Sequence, residues 1–473
     1  MDASISSRLG SLGIETKTPL DSDWEFYSST YNTRVPVTPE VVALPATIEQ
    51  VSQAVVSAAA RGLRVQARSG GHSYASHSNG GVDGAMVIDL RKLQDIVLGT
   101  DGIVRVGGGV RLGRMASAIF EQGGRAVAHG TCPTVGIGGH FTHGGFGLSS
   151  RAWGLSMDQI IAVDAVIADG KVVRASETEN KSLFVALRGA ADSFGVVVNF
   201  YLHTQPAPTN VVKWSVDISE ATRSVENATK AFLQIQDFAN NASIVDRKLG
   251  FLIFLAHQRF TLEGTYLGEM DKFTSAIIPV LLGGLPMRDT IKVNFHQVDW
   301  LELLRLLAGG ADLKASLSQE EHHAFFAKGT AVSHPGLSQD VMEGYFRYLL
   351  RNGTSLPINY FVGVQLYGGA DSRITAHTAD DSFGHRDAMW MFQHYGSVDG
   401  KATFPDEGIR FIEGLNKALG SGHGASSNYA DASLETDEAL KLYYGHKLET
   451  LMKLKGELDP QNVFSHPQSV RKA

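Results

Sequence analysis

The sequence predicts an α+β protein of more than one domain, and three observations lead there. At 473 residues the chain exceeds what a single hydrophobic core normally serves. Roughly its first 200 residues alternate short strands with capped helices. Then "HTQPAPTN" (His203–Asn210), with two prolines and no periodicity, interrupts the pattern, and long sheet strands with covering helices follow.

Taken in order, "ATIEQVSQAVVSAAARG" has Thr47 as N-cap, Gln50 three residues on and Gly62 past its end, the signature of a capped helix. The strand "LRVQAR" runs into a glycine-rich loop, "RSGGHSYASHSNGG" (Arg68–Gly81), and "AMVIDL" is the next strand. Asp101-Gly102 turns a hairpin inside "IVLGTDGIVRVGGG", a helix is expected from about Arg111 to Gln122, and Asp169-Gly170 turns a second hairpin inside "IIAVDAVIADGKVVRAS". Beyond the interruption, "VVKWSVDI", "KLGFLIFLAHQRFTLEGTYLG" and "INYFVGVQLYGG" read as strands, with "ATRSVENATKAFLQIQDFA" and "QDVMEGYFRYLLRNG" as helices over one side. The closing "TDEALKLYYGHKLETLMKLKGELDPQNVF" is expected to form one long amphipathic helix ended by Asp459-Pro460.

The formal net charge of −7, without a basic stripe, argues against nucleic acid as a partner. No apolar run reaches the length of a membrane span, and "MDASISSRLG" lacks the order of a signal peptide. Localisation stays open between an intracellular chain and a secreted one that has lost a leader. A monomer is expected. The single cysteine, Cys132, excludes an intrachain disulfide, and the sequons at Asn180, Asn227, Asn241 and Asn352 matter only if the chain is secreted.

Two glycine-rich stretches hold the chemistry. In the first, glycines around His72 allow positive φ and let backbone N–H groups approach an anion, although a plain surface turn has the same composition. It is no Rossmann fingerprint, because no G-x-G-x-x-G stands between a strand and a helix. The second, "HGTCPTVGIGGHFTHGGFG" (His129–Gly147), sets Cys132 among glycines with two further histidines. His129-x-x-Cys132 and His140-x-x-His143 have zinc-like spacing, against which stands the single thiolate; a buried inert cysteine is the other plain reading. Spacing alone decides between none of these. "EEHHAFF" (Glu320–Phe326) resembles a metal cluster only superficially, since adjacent histidines project to different faces, and it is read as structural.

Together "RSGGHSY", "GGGVRLG", "HGTCPTVGIGGH", "GGFG", "WGLSMDQI", "ALRGAADSFGVV", "NYAD" and "DPQNVF" resemble, in content and order, the vanillyl-alcohol-oxidase superfamily. Within it they are similar to the berberine-bridge-enzyme-like branch with bicovalent FAD, specifically the fungal glucooligosaccharide and chitooligosaccharide oxidases. The resemblance implies a two-part FAD-binding domain, residues 1–206 and 415–473, with an antiparallel-sheet substrate domain, residues 207–414, inserted and covered by helices. It implies bonds from His72 to the flavin 8α-methyl and from Cys132 to C6, with Arg68, Ser69, Gly70, Gly71, Ser73, Gly136, Gly138, Gly139, His140, Gly144, Val196 and Asn428 around the cofactor. A thiol and an imidazole on neighbouring loops are the nucleophiles such attachment needs. Val135 matches a position where the family's oxidases tend to have valine, which favours molecular oxygen as acceptor and hydrogen peroxide as product.

Taking a hydride from an alcohol carbon requires loss of the hydroxyl proton, hence a base within hydrogen-bond reach. The resemblance supplies Tyr429, in "NYAD", as that base and Tyr74 as a second phenol near the substrate. A free phenol has a pKa of about 10, so the proton must be drawn off or passed onward. Where the saccharide oxidases have an aspartate near this tyrosine, the chain has Gln365, a neutral amide that cannot accept a proton as a carboxylate does. Where they stack sugars on tryptophan, it offers Phe361 and Tyr367; Gln393 keeps a polar substrate contact. Phe361, Tyr367 and Gln393 equally suit sheet packing. His446 falls where the family's final helix nears the flavin, and a helix-surface histidine is the plainer reading. The expected activity is that of an FAD oxidase acting on a saccharide-like hydroxyl, lactol to lactone. The alternative is a tailoring oxidase of a small aromatic or polyketide-like metabolite.

Overall fold

A computed structural model describes residues 4–314, 322–400 and 402–473. Near the N-terminus a four-stranded sheet orders Glu15–Lys17, Val41–Leu44, Met86–Asp89 and Val65–Arg68, with the last three strands mutually parallel. A five-stranded antiparallel sheet orders Ile96–Leu98, Ile103–Gly107, Val196–His203, Ile160–Val166 and Val172–Ser176. Both hairpins expected at Asp101-Gly102 and Asp169-Gly170 are present. The first long helix spans Ile48–Ala59, where Thr47 Oγ1 accepts from the Gln50 N–H at 3.2 Å, as the capping pattern requires.

The third sheet is seven-stranded and antiparallel. From edge to edge it runs Lys292–Val298, Val211–Asp217, Arg259–Tyr266, Leu249–Ala256, Asn359–Leu366, Ala388–Ser397 and Phe325–Ser333. Side chains alternate between the faces of a strand, and here the alternation sorts core from site. Val362, Val364, Leu366, Trp390 and Phe392 pack against the helices Val225–Asn240, Gln339–Asn352 and Asp406–Ala418. Their neighbours Phe361, Gly363, Gln365, Gln393 and Tyr395 therefore point to the opposite face, towards the glycine-rich loops.

The C-terminal segment returns to the first sheet. Val65 N–H donates to Val463 O at 2.8 Å. Buried Asp459 accepts from Val463 and Phe464 N–H at 2.8 and 2.9 Å and from Lys455 Nζ at 2.7 Å. "DPQNVF" is thus a turn organised by one carboxylate.

One expectation is corrected here. The closing helix is two, Thr436–Tyr444 and Leu448–Leu458, broken at Gly445 with φ of +52°. The Leu442 carbonyl, which would accept from the N–H four residues on, instead takes the Ala425 N–H at 2.9 Å and lies 2.7 Å from His385 Nε2. Amphipathic periodicity continues across the break, so the sequence pattern alone conceals it.

Candidate active site

The two glycine-rich loops cross at Gly70 and Gly136. A Cβ on Gly70 would lie 2.1 Å from Gly136 N, and one on Gly136 would lie 2.0 Å from Gly70 N and 2.4 Å from Ser69 Oγ. Only glycine at both positions lets the backbones touch. Ser69 Oγ then accepts from Gly138 N–H at 3.2 Å, and the Cys132 loop is stitched to the preceding segment by Leu112 N–H to Val135 O and Ile137 N–H to Val110 O, both 2.9 Å. The crossing sets His72 two residues away on one loop and Cys132 four residues away on the other, within short chain reach of each other. Cys132 is exposed, its Sγ 3.3 Å from Thr134 Oγ1. An accessible thiol and an imidazole over a backbone contact that no Cβ could enter are residues that fit a doubly attached flavin.

Other residues expected at the cofactor brace these loops. Arg68 is buried, donating to Asp89 Oδ2 at 2.7 Å and Asn79 Oδ1 at 3.1 Å. Ser73 Oγ accepts from His77 N–H at 2.9 Å, and Gly71 has φ of +76°. His140 Nε2 accepts from Gly130 N–H at 2.9 Å, and burial pushes its pKa down to about 3, so it is neutral at pH 7. Gly139 faces open space, Gly144 (φ +113°) sits against Phe383, and Val196 is wholly buried in the core beside the first sheet. The zinc-like set disperses: His129 Nδ1 lies 2.7 Å from Gly130 O and His143 Nε2 3.1 Å from Asp192 Oδ2.

Opposite the loops, the third sheet presents a floor. Gln393 stands in register between Gly363 and Gly329 on the two flanking strands, with the Phe361 ring beside Gly363. Tyr74 OH accepts from Gln393 Nε2 at 2.9 Å. Tyr429, on the short turn Ser427–Tyr429, lies over Gly329, where a Cβ would come within 3.2 Å of its own. Its hydroxyl accepts from Gln365 Nε2 at 2.7 Å, and its ring is 5.7 Å from that of Tyr74. Two contacts hold the turn: Asp431 pairs with Lys328, next to Gly329, and Asn428 Nδ2 donates to His143 O at 3.0 Å. Burial pushes the Tyr429 hydroxyl above its ordinary pKa, with the Gln365 donor acting the other way. Burial also drives Tyr74 well above, its neighbouring tyrosines adding to the effect. Gln365 Oε1 is buried without a hydrogen-bond partner among the described residues.

Phe361 stacks on Tyr395 with centroids 5.2 Å apart. Tyr367 instead stacks on Phe146 at 4.6 Å and is 3% exposed, a packing position. His446 is exposed on the turn between the two last helices. Sequence reasoning missed an aromatic wall. Phe325 lies 4.8 Å from Tyr74 and 5.0 Å from Tyr395, Tyr31 lies 4.3 Å from His72, and His323 Nε2 lies 2.7 Å from Tyr395 OH. His323, read as structural, borders the site. Its neighbour His322 turns away to Thr30 O at 2.7 Å, and Glu320 and Glu321 lie outside the described residues. No motif marks such rings, because sheet register and chain crossing bring them together.

The sequence matches the FAD binding domain family over residues 39–176 and the berberine and berberine-like family over residues 426–471. It is 32% identical to the chitooligosaccharide oxidase of Gibberella zeae, over 99% of this chain and 94% of that one. The xylooligosaccharide oxidase from Myceliophthora thermophila, solved with xylobiose, superposes with a TM-score of 0.94 at 33% identity over the whole of both chains. The glucooligosaccharide oxidase from Acremonium strictum, described as carrying 6-S-cysteinyl, 8α-N1-histidyl FAD, also superposes at 0.94, with 28% identity over all of both. No helix among the described residues is long and apolar enough to cross a membrane. Crossed loops bearing His72 and Cys132, a tyrosine turn over a sheet floor and likeness along the full length place this chain in the berberine-bridge-enzyme-like family of FAD-linked oxidoreductases.

Proposed function

We propose that this enzyme oxidises a saccharide hydroxyl, lactol to lactone, using dioxygen, and that FAD is held by two bonds, His72 to 8α and Cys132 to C6. The observation that carries the reading is the Tyr429–Gln365 hydrogen bond of 2.7 Å beside Tyr74–Gln393 at 2.9 Å, set opposite the crossed loops. Residues 1–206 and 415–473 form the flavin part in this reading and residues 207–414 the substrate part; the enzyme acts as a monomer. When bound, FAD supplies the two-electron acceptor for the substrate carbon, and dioxygen takes the electrons on as hydrogen peroxide.

Tyr429 takes the hydroxyl proton, with the Gln365 N–H stabilising the oxygen that receives it. The unpaired Oε1 of Gln365 suits a donor on the substrate. Gln393 and the Tyr74 hydroxyl orient a neighbouring hydroxyl. A peroxide assay over oligosaccharides of glucose, xylose and N-acetylglucosamine tests this. Turnover of none, with turnover of phenolic or polyketide alcohols, would instead support the tailoring role, which the rings Phe325, Tyr395 and Phe361 and the neutral Gln365 favour.

Because burial raises the Tyr429 hydroxyl above a pKa of about 10, its anion is scarce at neutral pH. The limb of kcat/KM is therefore expected to rise through neutrality and to be still rising near pH ~10. Gln365→Glu places a carboxylate where the amide was, and because carboxyl groups ionise far below phenols it can take the proton on from Tyr429. The limb should move to lower pH by about a unit or more. An unmoved limb would show that the group at position 365 does not act on the Tyr429 hydroxyl.

A further inference from the structure

The geometry points to Tyr31 as a positioning residue for attachment of His72 to the flavin, an inference that rests on the two-bond reading above. The Tyr31 ring lies 4.3 Å from the His72 imidazole, inclined by 33°. It is backed by Phe325 at 5.7 Å and His323 at 6.1 Å, so it forms a wall with a second layer behind it.

The chain around Tyr31 is stapled to the His72 loop on both sides. Asn79 Nδ2 donates to Ser28 O at 2.7 Å before it, and Ser76 Oγ donates to Val35 O at 2.6 Å after it. The adjacent Asn32 is 2% exposed; its Nδ2 donates to Tyr74 O at 2.8 Å and its Oδ1 accepts from Phe325 N–H at 3.2 Å. Arg34 Nε completes the strap by donating to Phe325 O at 3.0 Å. A ring anchored this way restricts the imidazole it covers to a narrow set of rotations.

Restricting that rotation matters because bond formation is directional. His72 loses its N–H proton, one C–H of the 8α-methyl is lost, and an N–C bond forms; the two electrons released pass through the flavin ring to dioxygen, which leaves as hydrogen peroxide. An imidazole free to swing presents its nitrogen to the methyl carbon rarely, and misplacement of about 1 Å costs about 100-fold in comparable reactions. Cys132 approaches from the other loop, exposed and far from this wall in sequence. Its bond has no need of Tyr31.

The test uses the full chain produced with FAD, denatured, digested and mapped for flavin on the His72 and Cys132 peptides. Unaltered protein and Tyr31→Phe, which keeps the ring, should carry flavin on both. Tyr31→Leu, which keeps bulk without a ring, should carry it on Cys132 with under about a tenth of the His72 peptide modified, while its thermal midpoint stays near that of the unaltered protein. Full His72 modification in Tyr31→Leu would overturn the inference. Loss of flavin from both peptides would overturn it too, since a wall for one imidazole has no reason to release the thiol. Unaltered protein without flavin on His72 would sink the two-bond reading itself, and that result is visible before any variant is made.

Discussion

Tyr429→Phe is expected to lower kcat/KM by about 100- to 10,000-fold, the range usual for removal of a general base. The substitution deletes one oxygen and keeps the ring that packs over Gly329 and 5.7 Å from Tyr74. Flavin content should therefore match the unaltered protein. The buried Gln365 N–H loses its acceptor, a penalty of about 1–3 kcal/mol, so a small fall in thermal midpoint is part of the expected result. Rapid-mixing reduction of the bound flavin by substrate is the decisive reading, because it isolates the step in which the proton leaves. A variant reduced within threefold of the normal rate would show that the proton goes elsewhere, with Tyr74 the next candidate.

Gly136→Ala is expected to be nearly as damaging by a wholly different route. Its new Cβ would lie 2.0 Å from Gly70 N, a backbone atom, and a Cβ has no rotation of its own that could relieve the contact. The loops must part by about 1 Å or more, and such overpacking costs about 1–3 kcal/mol, occasionally more. The larger expected loss is functional, because that contact holds the loops that carry His72 and Cys132 together. Protein that folds should hold little flavin, read as visible absorbance per chain. Gly344→Ala is the control: this glycine lies inside the helix Gln339–Asn352, with nothing within 4 Å of a new Cβ, and gains about 0.5–1 kcal/mol of helix propensity. Normal flavin loading in Gly136→Ala would mean that the loop crossing does not organise the cofactor site.

Much of the fold was legible because its signals are local. The Thr47 cap, the two Asp-Gly hairpins and the alternating strands each depend on residues within a few positions of one another, and the α+β class followed from them. The closing helix was misread because its break comes from Ala425 and His385 claiming the Leu442 carbonyl, partners remote in sequence that leave no mark on the helix's own periodicity. At the site, the motifs around His72, Cys132 and Tyr429 were visible through their resemblance to a family, whereas the partners that hold Arg68 and His140 were not. Asp89 and Gly130 lie 21 and 10 positions away from them in the chain, and only the fold brings them into hydrogen-bond reach.

What the sequence by itself determined is the reactive inventory: one thiol, an imidazole among glycines, a phenol in "NYAD" and the neutral amide of Gln365. Those are properties of side chains, and they travel with the letters. Tertiary structure alone decided which of them meet. Gly70 touches Gly136 across 66 positions, Gln365 reaches Tyr429 across 64, and Tyr31 covers His72 through a strap pinned to strand Phe325–Ser333. Such pairings follow from sheet register and backbone crossing, which are set by the packing of the whole chain, so no local pattern encodes them.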